Sequence, residues 1–170
     1  NKTSSVYVYG RSGTKKTTIA NWFSLELVRQ GFTIQLATMG ELVRSLIITF
    51  DTPEESLKRK SYVEKLLEAD YLVIDQAFQK ATTAGMFQTG SQLPYLESFI
   101  RQRMDTNKKG IMFFSWVKPE EIQKNGFTDT LQDFIIRNTI KQGTFLELKD
   151  IPENFTISRS TIFDDIRNEK

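Results

Sequence analysis

The sequence has no cysteine and no histidine among its 170 residues. The absence of cysteine excludes disulfide bonds and thiol nucleophiles, and it is compatible with a reducing compartment. The absence of histidine excludes a Ser-His-Asp triad and most zinc sites. Any chemistry of this chain therefore depends on carboxylates, amides, hydroxyls and cationic side chains.

Long apolar runs and a strong net charge are also absent. No apolar stretch approaches the roughly 20 residues that a membrane span needs, so no membrane association is expected. The formal net charge is only +2, so the chain as a whole does not favour nucleic acid, although a local basic patch can still do so. No signal peptide is recognisable, and we expect a cytoplasmic protein of a bacterium or of a phage-infected host.

The composition and the hydrophobic pattern predict one α/β domain. Hydrophobic residues make up 39% and charged residues 26% of the chain, as in ordinary globular domains. Strands are predicted at 5–9, 33–38, 71–75, 110–116 and 144–148, and helices at 17–30, 40–50, 51–67, 93–104, from 118 and at 128–138. This alternation is typical of a parallel sheet covered on both faces. We expect a single domain over 1–170, with a core at about 5–150 and a tail at 151–170, and a long loop at 76–91.

A phosphate-binding loop is predicted where the first strand meets the first helix. The pattern G-x-x-x-x-G-K-[ST] is met at Gly10, Lys16 and Thr17, and Lys15 replaces the second glycine. The amides of such a loop bind phosphates, Lys16 would reach the β- and γ-phosphates, and the Thr17 hydroxyl would bind Mg²⁺. The predicted nucleotide-binding residues are Gly10, Arg11, Ser12, Gly13, Thr14, Lys15, Lys16, Thr17 and Thr18. The alternative is a plain strand–helix turn with two solubilising lysines.

An acidic residue closes the third predicted strand. Asp75 follows the apolar run Tyr71-Leu72-Val73-Ile74, as expected of a central parallel strand. Such an acid would hold Mg²⁺ next to the phosphate loop, so Thr17 and Asp75 are the candidate metal-binding residues. The alternative is an acid that only ends the strand.

Together these segments resemble the AAA+ ATPases of the DnaC-type helicase-loader group, whose relatives include the IstB-type transposition ATPases and the DnaA-type initiators. The resemblance rests on 8–17, 31–43, 69–75 and 111–121 and covers about 5–150. It implies a three-layer P-loop fold (AAA+/ASCE) with a five-stranded parallel sheet between helices. It also implies ATP or ADP with Mg²⁺, a homo-oligomer, and a partner such as a replicative helicase or another replication or transposition protein.

The resemblance also implies roles for individual residues, and the departures from the pattern affect hydrolysis. Asp75 would act with the metal, and Arg137 occupies the place of an arginine finger that acts on a neighbouring subunit's nucleotide. Gln76 stands where the group has glutamate and lacks the carboxylate of a general base. Trp116 stands near the place of a polar sensor, and Ser115 is its nearest polar substitute. We therefore predict slow or lost hydrolysis.

Several alternatives stay open at this stage. One is an adaptor that keeps the fold without nucleotide, another is an IstB-like transposition ATPase, and a third is a metabolic kinase, for which no arginine-rich lid is visible. Contact with single-stranded DNA is possible if the basic residues share a face. These are Lys58, Arg59, Lys60, Arg101, Arg103, Lys108 and Lys109, with Tyr62 and Phe87 as stacking candidates. Arg159 is a weak candidate for a second sensor.

Overall fold

Five parallel strands form the centre of the structure. The structure is a computed structural model, and it describes residues 4–47, 52–80 and 92–149. The strands are β1 (Val6–Gly10), β2 (Ile34–Thr38), β3 (Tyr71–Asp75), β4 (Gly110–Ser115) and β5 (Phe145–Leu148). Their order in the sheet is β2-β3-β4-β1-β5. The predicted five-stranded parallel sheet is therefore confirmed, with each strand within two residues of its predicted limits.

The helices follow the predicted alternation, with two differences. They are α1 (Lys16–Arg29), α2 (Met39–Leu46), α3 (Pro53–Glu68), α4 (Leu93–Arg101) and α5 (Asp129–Asn138). The predicted helix 93–104 changes at Gln102 into a wider π-helical turn, Gln102–Thr106. The helix predicted from residue 118 is instead two short 3₁₀ turns, Pro119–Glu121 and Gln123–Asn125, because the chain turns left-handed at Gly126 (φ 93°). A further 3₁₀ turn, Ile140–Gln142, precedes β5.

The two faces of the sheet are covered unequally. Tyr7, Ile74 and Phe113 point into the larger apolar cluster, to which α2, α3, α4 and α5 all contribute. Val8, Val73, Met112 and Phe114 point the other way, into a smaller cluster with Ala20 of α1. Among the described residues, α1 is the only helix with a residue in the smaller cluster. Layers of helix thus lie on both sides of the sheet, as the α/β prediction requires.

Three of the five described helices begin with a side-chain cap, whereas α1 and α4 do not. Thr38 and Glu41 form a capping box at α2, Thr52 and Glu55 form another at α3, and Thr128 accepts from the Leu131 amide at α5. Such caps satisfy amides that a helix start leaves without partners. The first turn of α1 has neither a capping side chain nor an acidic residue, so its amides remain available to an anion.

Arg103 is fully buried and ties α3 to β4. Its guanidinium donates to the carbonyls of Leu66, Leu67 and Ala69 at the end of α3 and to that of Gly110 at the start of β4, over 2.6–3.3 Å. Burial lowers the pKa of Arg103 to about 10, so it remains charged at neutral pH. Arg103 is therefore structural, and its prediction as a DNA-contacting residue is wrong.

Some predictions lie outside the described residues. They are the loop beyond residue 80, the tail 151–170, Phe87 and Arg159. The single domain over 1–170 accordingly stays a prediction. In the part of the chain that is described, none of the helices has the length and apolarity that a bilayer crossing needs.

Candidate nucleotide-binding site

The phosphate loop and Asp75 meet at the carboxyl edge of the sheet. The loop leaves β1, and Asp75 ends β3, with β4 between the two strands. The Thr17 hydroxyl donates to Asp75 Oδ2 over 2.6 Å, across 58 positions of sequence. The two segments that the sequence singled out independently are thus in direct contact, in the crevice where open α/β sheets bind ligands.

The loop has the tight backbone geometry that its glycines allow. A Cβ at Gly10 would lie 2.5 Å from Thr14 Oγ1 and 3.0 Å from Leu148 Cβ, so no larger residue fits there without a shift. Gly13 has φ +85° and open space where its side chain would be, which leaves room for a ligand to approach the backbone. Thr14 is buried within the loop, and its hydroxyl donates to the Arg11 carbonyl over 2.9 Å.

Lys15, which replaces the second glycine of the motif, has a backbone conformation that glycine adopts more readily. Its φ of 57° and ψ of 30° are left-handed, which costs a residue with a Cβ roughly 1–2 kcal/mol. Its side chain is exposed and lies at the rim of the cleft. The lysine at position 15 therefore adds backbone strain and a positive charge to the phosphate loop.

Lys16 is folded onto its own loop. Its ammonium donates to the Arg11 carbonyl over 2.6 Å and to Thr14 Oγ1 over 3.3 Å. Partial burial lowers the pKa of Lys16, and the negative charge of Asp75 opposes this shift. Lys16 is thus held at the loop by these two contacts, which it can exchange for a phosphate oxygen.

Asp75 and Thr17 have the donor atoms that suit Mg²⁺. Asp75 is buried, its Oδ1 accepts from the Gln76 amide over 2.8 Å, and its Oδ2 accepts from Thr17. Within 4–47, 52–80 and 92–149 there is no group of three or more acidic, cysteine or histidine residues able to hold a metal. Mg²⁺ commonly takes one or two protein oxygens together with substrate phosphates and water, so this pair fits Mg²⁺ bound with a nucleotide.

The cleft has a volume of about 470 Å³, and two carboxamides line it together with the Asp75 carboxylate. Its lining residues are Ser12, Gly13, Lys15, Lys16, Thr17, Asp75, Gln76, Gln79 and Trp116. Gln76 is exposed, with a left-handed φ of 53°, and Trp116 is 48% exposed. Gln79 was missed by the sequence reasoning, although its place three residues after Gln76 in the loop that follows Asp75 was a usable signal.

Other predicted site residues lie at or beyond the edge of this cleft. Arg11 lines a neighbouring depression that shares Ser12 and Trp116 with the cleft, and Thr18 is exposed in the first turn of α1. Gly10 and Thr14 are buried beneath the loop surface. Arg137 is exposed in the last turn of α5 and is not part of the cleft lining.

Ser115 is not placed to read a phosphate. It is fully buried at the end of β4, its hydroxyl donates to the Ala77 carbonyl, and it accepts from the Val117 amide over 3.0 Å. Both hydrogen-bonding roles of the hydroxyl are therefore used inside the protein. The position corrects the expectation that Ser115 is a sensor, because the side chain packs the strand end instead of facing the cleft.

The basic residues considered for DNA contact do not act as one group. Arg101 is paired with Glu97 at 2.8 Å and lies over the Phe134 ring, 4.4 Å from its centroid. Lys109 is paired with Asp70 at 2.7 Å. With Arg103 buried, the geometry does not favour DNA binding through the whole predicted set.

Comparison with known proteins establishes the fold. No family model matches the sequence, and no curated protein matches it. The structure is similar to that of the replication initiator DnaA bound to AMPPCP and single-stranded DNA, with 13% identity, coverage of 98% of this chain and 51% of that one, and a TM-score of 0.64. Domain III of DnaA from Thermotoga maritima is also similar, with 19% identity, coverage of 84% of this chain and 53% of that one, and a TM-score of 0.61. DnaI is similar as well, with 14% identity, coverage of 89% of this chain and 73% of that one, and a TM-score of 0.58.

The present chain spans about half the length of the DnaA chains that it matches. At these identities the likeness concerns the fold, and it agrees with the sheet, the loop and the acid described above. The protein has a three-layer α/β P-loop fold, and its structure is similar to those of DnaA and DnaI.

Proposed function

We propose that this chain binds ATP or ADP with Mg²⁺ at the cleft between the phosphate loop and Asp75. The contact of 2.6 Å between the Thr17 hydroxyl and Asp75 is the observation that carries the proposal. It brings together the two donors that a nucleotide-bound Mg²⁺ needs, beside helix amides without a cap. A strand–helix turn with solubilising lysines gives no reason for this arrangement.

Each part of the site has a distinct role in this proposal. The amides from Gly13 to Thr17 bind phosphate oxygens, helped by the positive end of the α1 dipole. Lys16 leaves the Arg11 carbonyl and binds the terminal phosphates. Thr17 and Asp75 hold Mg²⁺, which neutralises phosphate charge when bound.

Hydrolysis is proposed to be slow or absent. General-base catalysis contributes about 10²–10⁴-fold to rate, and a carboxamide at Gln76 has no basic site for the proton of the attacking water. Gln76 is left with the role of orienting water. The buried hydroxyl of Ser115 removes one candidate for a γ-phosphate contact. The cleft therefore favours a binding switch over a fast ATPase.

We further propose that the chain is an AAA+ module that loads or positions a replicative helicase during DNA replication. The similarity of its fold to DnaA and DnaI supports a replication role. Arg137 is exposed at the end of α5, as a finger acting on a neighbouring subunit's nucleotide requires, so we propose a nucleotide-bridged homo-oligomer. An IstB-like role in transposition uses the same nucleotide chemistry and differs only in the partner.

The nucleotide proposal is tested by ligand-induced stabilisation of the whole chain. A ligand that binds only the native state stabilises it by about 2.7 kcal/mol at 100 times its Kd, so ADP or ATP with Mg²⁺ should raise the Tm by several degrees. Lys16→Ala should abolish the rise, and Asp75→Asn should abolish its dependence on Mg²⁺. Lys60→Ala, which removes an exposed lysine of α3, is the matched control and should respond as the wild type does.

A chain that shows no shift with either nucleotide supports the alternative of an adaptor that keeps the fold without nucleotide. The strained Lys15 and the carboxamide of Gln76 are the observations that favour this second candidate. The oligomer is tested by sedimentation with a slowly hydrolysed ATP analogue. Arg137→Ala should prevent growth of the oligomer while nucleotide-induced stabilisation remains; growth that persists in this variant contradicts the finger.

A further inference from the structure

The outer face of α1 carries an apolar ridge. Trp22, Leu25 and Val28 are 53%, 61% and 55% exposed, and their i, i+3 spacing makes them neighbours on the helix surface. The opposite side of α1 is also apolar, since Ile19, Ala20, Phe23 and Leu27 pack against the sheet. Exposed apolar side chains that adjoin one another on a protein surface mark interaction sites, so this outer ridge indicates an interface.

We propose that the ridge of Trp22, Leu25 and Val28 pairs with the same ridge of a second copy of this chain, in a two-fold symmetric dimer that does not depend on nucleotide. A two-fold interface needs a patch that complements itself. If the two α1 helices run antiparallel and Leu25 lies on the two-fold axis, each residue faces the partner residue that is equally far from position 25 in the other direction. The numbers of two facing residues therefore add up to 50. Trp22 then faces Val28 of the other copy, a large side chain against a small one.

The charges of α1 agree with this pairing. The same rule places Arg29 opposite Asn21 of the other copy, so no like charges meet across the axis. Asn21 and Arg29 are both exposed and flank the ridge. The nearest acid, Glu26, is already paired with Arg29 of its own helix at 3.6 Å, and it falls opposite Ser24. A heterologous partner would not need this internal complementarity.

The size of the ridge sets the expected strength. The exposed fractions of the three side chains correspond to on the order of 300 Å² of apolar surface per copy. With the polar rim, two copies reach the low end of specific interfaces, about 1,000 Å² in total. We therefore expect a dimer with a dissociation constant in the micromolar range.

The dimer is tested by sedimentation velocity of the full chain without nucleotide, over about 1–200 µM, a range that brackets this affinity. The wild type should shift from monomer to dimer, and Leu25→Glu should weaken the association at least ten-fold. Leu57→Glu is the matched control, because Leu57 is 68% exposed on α3 and should leave the dimer unchanged. A chain that is monomeric throughout, or a Leu25→Glu variant that dimerises normally, overturns the proposal.

Crosslinking gives a second measurement that does not rely on a destabilising charge. The chain has no cysteine, so Leu25→Cys introduces a single thiol. Packed helices lie 8–10 Å apart, which brings residues on a two-fold axis within disulfide range. Mild oxidation should convert Leu25→Cys to a disulfide dimer much faster than it converts Leu57→Cys. Equal rates for the two variants overturn the proposal, and the nucleotide site is not involved in either measurement.

Discussion

The clearest test of the loop geometry is the substitution Lys15→Gly. Lys15 has φ 57° and ψ 30° at the residue before α1, where a residue with a Cβ pays roughly 1–2 kcal/mol. Glycine removes this cost but loses about 0.5–1 kcal/mol more conformational entropy on folding. Because the Lys15 side chain is exposed, little packing is lost. The net expectation is a stabilisation of about 1 kcal/mol, which corresponds to about 2–4 °C in Tm for a chain of this size.

Lys108 provides a matched control for this substitution. It has the same φ of 57°, it is exposed, and a second lysine follows it just as Lys16 follows Lys15. Lys108→Gly should relieve the same backbone cost without touching the nucleotide cleft, and its net gain is smaller by whatever the contacts of Lys108 contribute. Urea denaturation, followed by fluorescence and circular dichroism, measures the free energy of unfolding of each variant, and coincident transitions justify a two-state treatment.

Two outcomes would refute the reasoning. If Lys108→Gly gains about 1 kcal/mol and Lys15→Gly gains nothing, the loop at Lys15 is not strained as described. If neither variant gains, the left-handed backbone at these lysines does not carry the assumed cost.

Three further predictions concern hydrolysis, the core and the response to acid. Gln76→Glu should raise the rate of ATP turnover, measured by phosphate release, at least ten-fold because it supplies a general base. Gln79→Glu changes a residue in the same cleft and should not raise this rate. Equal effects of the two substitutions would contradict a specific role for Gln76. Arg103→Met should lower the free energy of unfolding by about 3 kcal/mol, because buried carbonyls lose their donors; a loss below 1 kcal/mol in urea denaturation would contradict its role as a link. Hydrogen bonds from the Lys109 ammonium and from the amide and hydroxyl of Thr33 hold the pKa of Asp70 below its ordinary value of 3.8, so Asp70 stabilises the fold above about pH 4 and loses this contribution as the pH falls further. Asp70→Asn should thus lower the Tm at pH 7, and the difference in Tm between the wild type and this variant should become smaller in acid. A difference in Tm that does not change with pH would contradict a stabilising role for the Asp70 charge.

Much of the fold could be predicted because local patterns determine it. The run from Tyr71 to Ile74 is apolar throughout, as a strand buried on both faces requires, and Asp75 closes it. Thr38 and Glu41 form a capping box that marks the start of α2. The phosphate loop was also predictable, because the backbone of such a loop limits which residues can stand at Gly10 and Gly13.

The errors at Arg103 and Ser115 arose because residue type was given more weight than position. Arginine is almost never fully buried without partners, so Arg103 was grouped with surface cations. Yet it lies three residues after Ile100 and four after Phe99, on the buried face of the helix, and that spacing was the available signal. The carbonyls that accept from its guanidinium belong to the end of α3 and to the start of β4, and no local pattern reveals them. Ser115 likewise ends an apolar run and shares the burial of that run.

The position of β1 in the sheet has a consequence for the order in which the molecule is assembled. Among the described strands, β1 pairs with β4 and β5, the two that stand furthest from it in the sequence, and Tyr7 donates its hydroxyl hydrogen to a carbonyl 110 positions further along. Closing so long a loop is slow, and it must wait at least until β4 has been synthesised. The strands β2 and β3 can associate earlier, so the segment that bears the phosphate loop is held in place late.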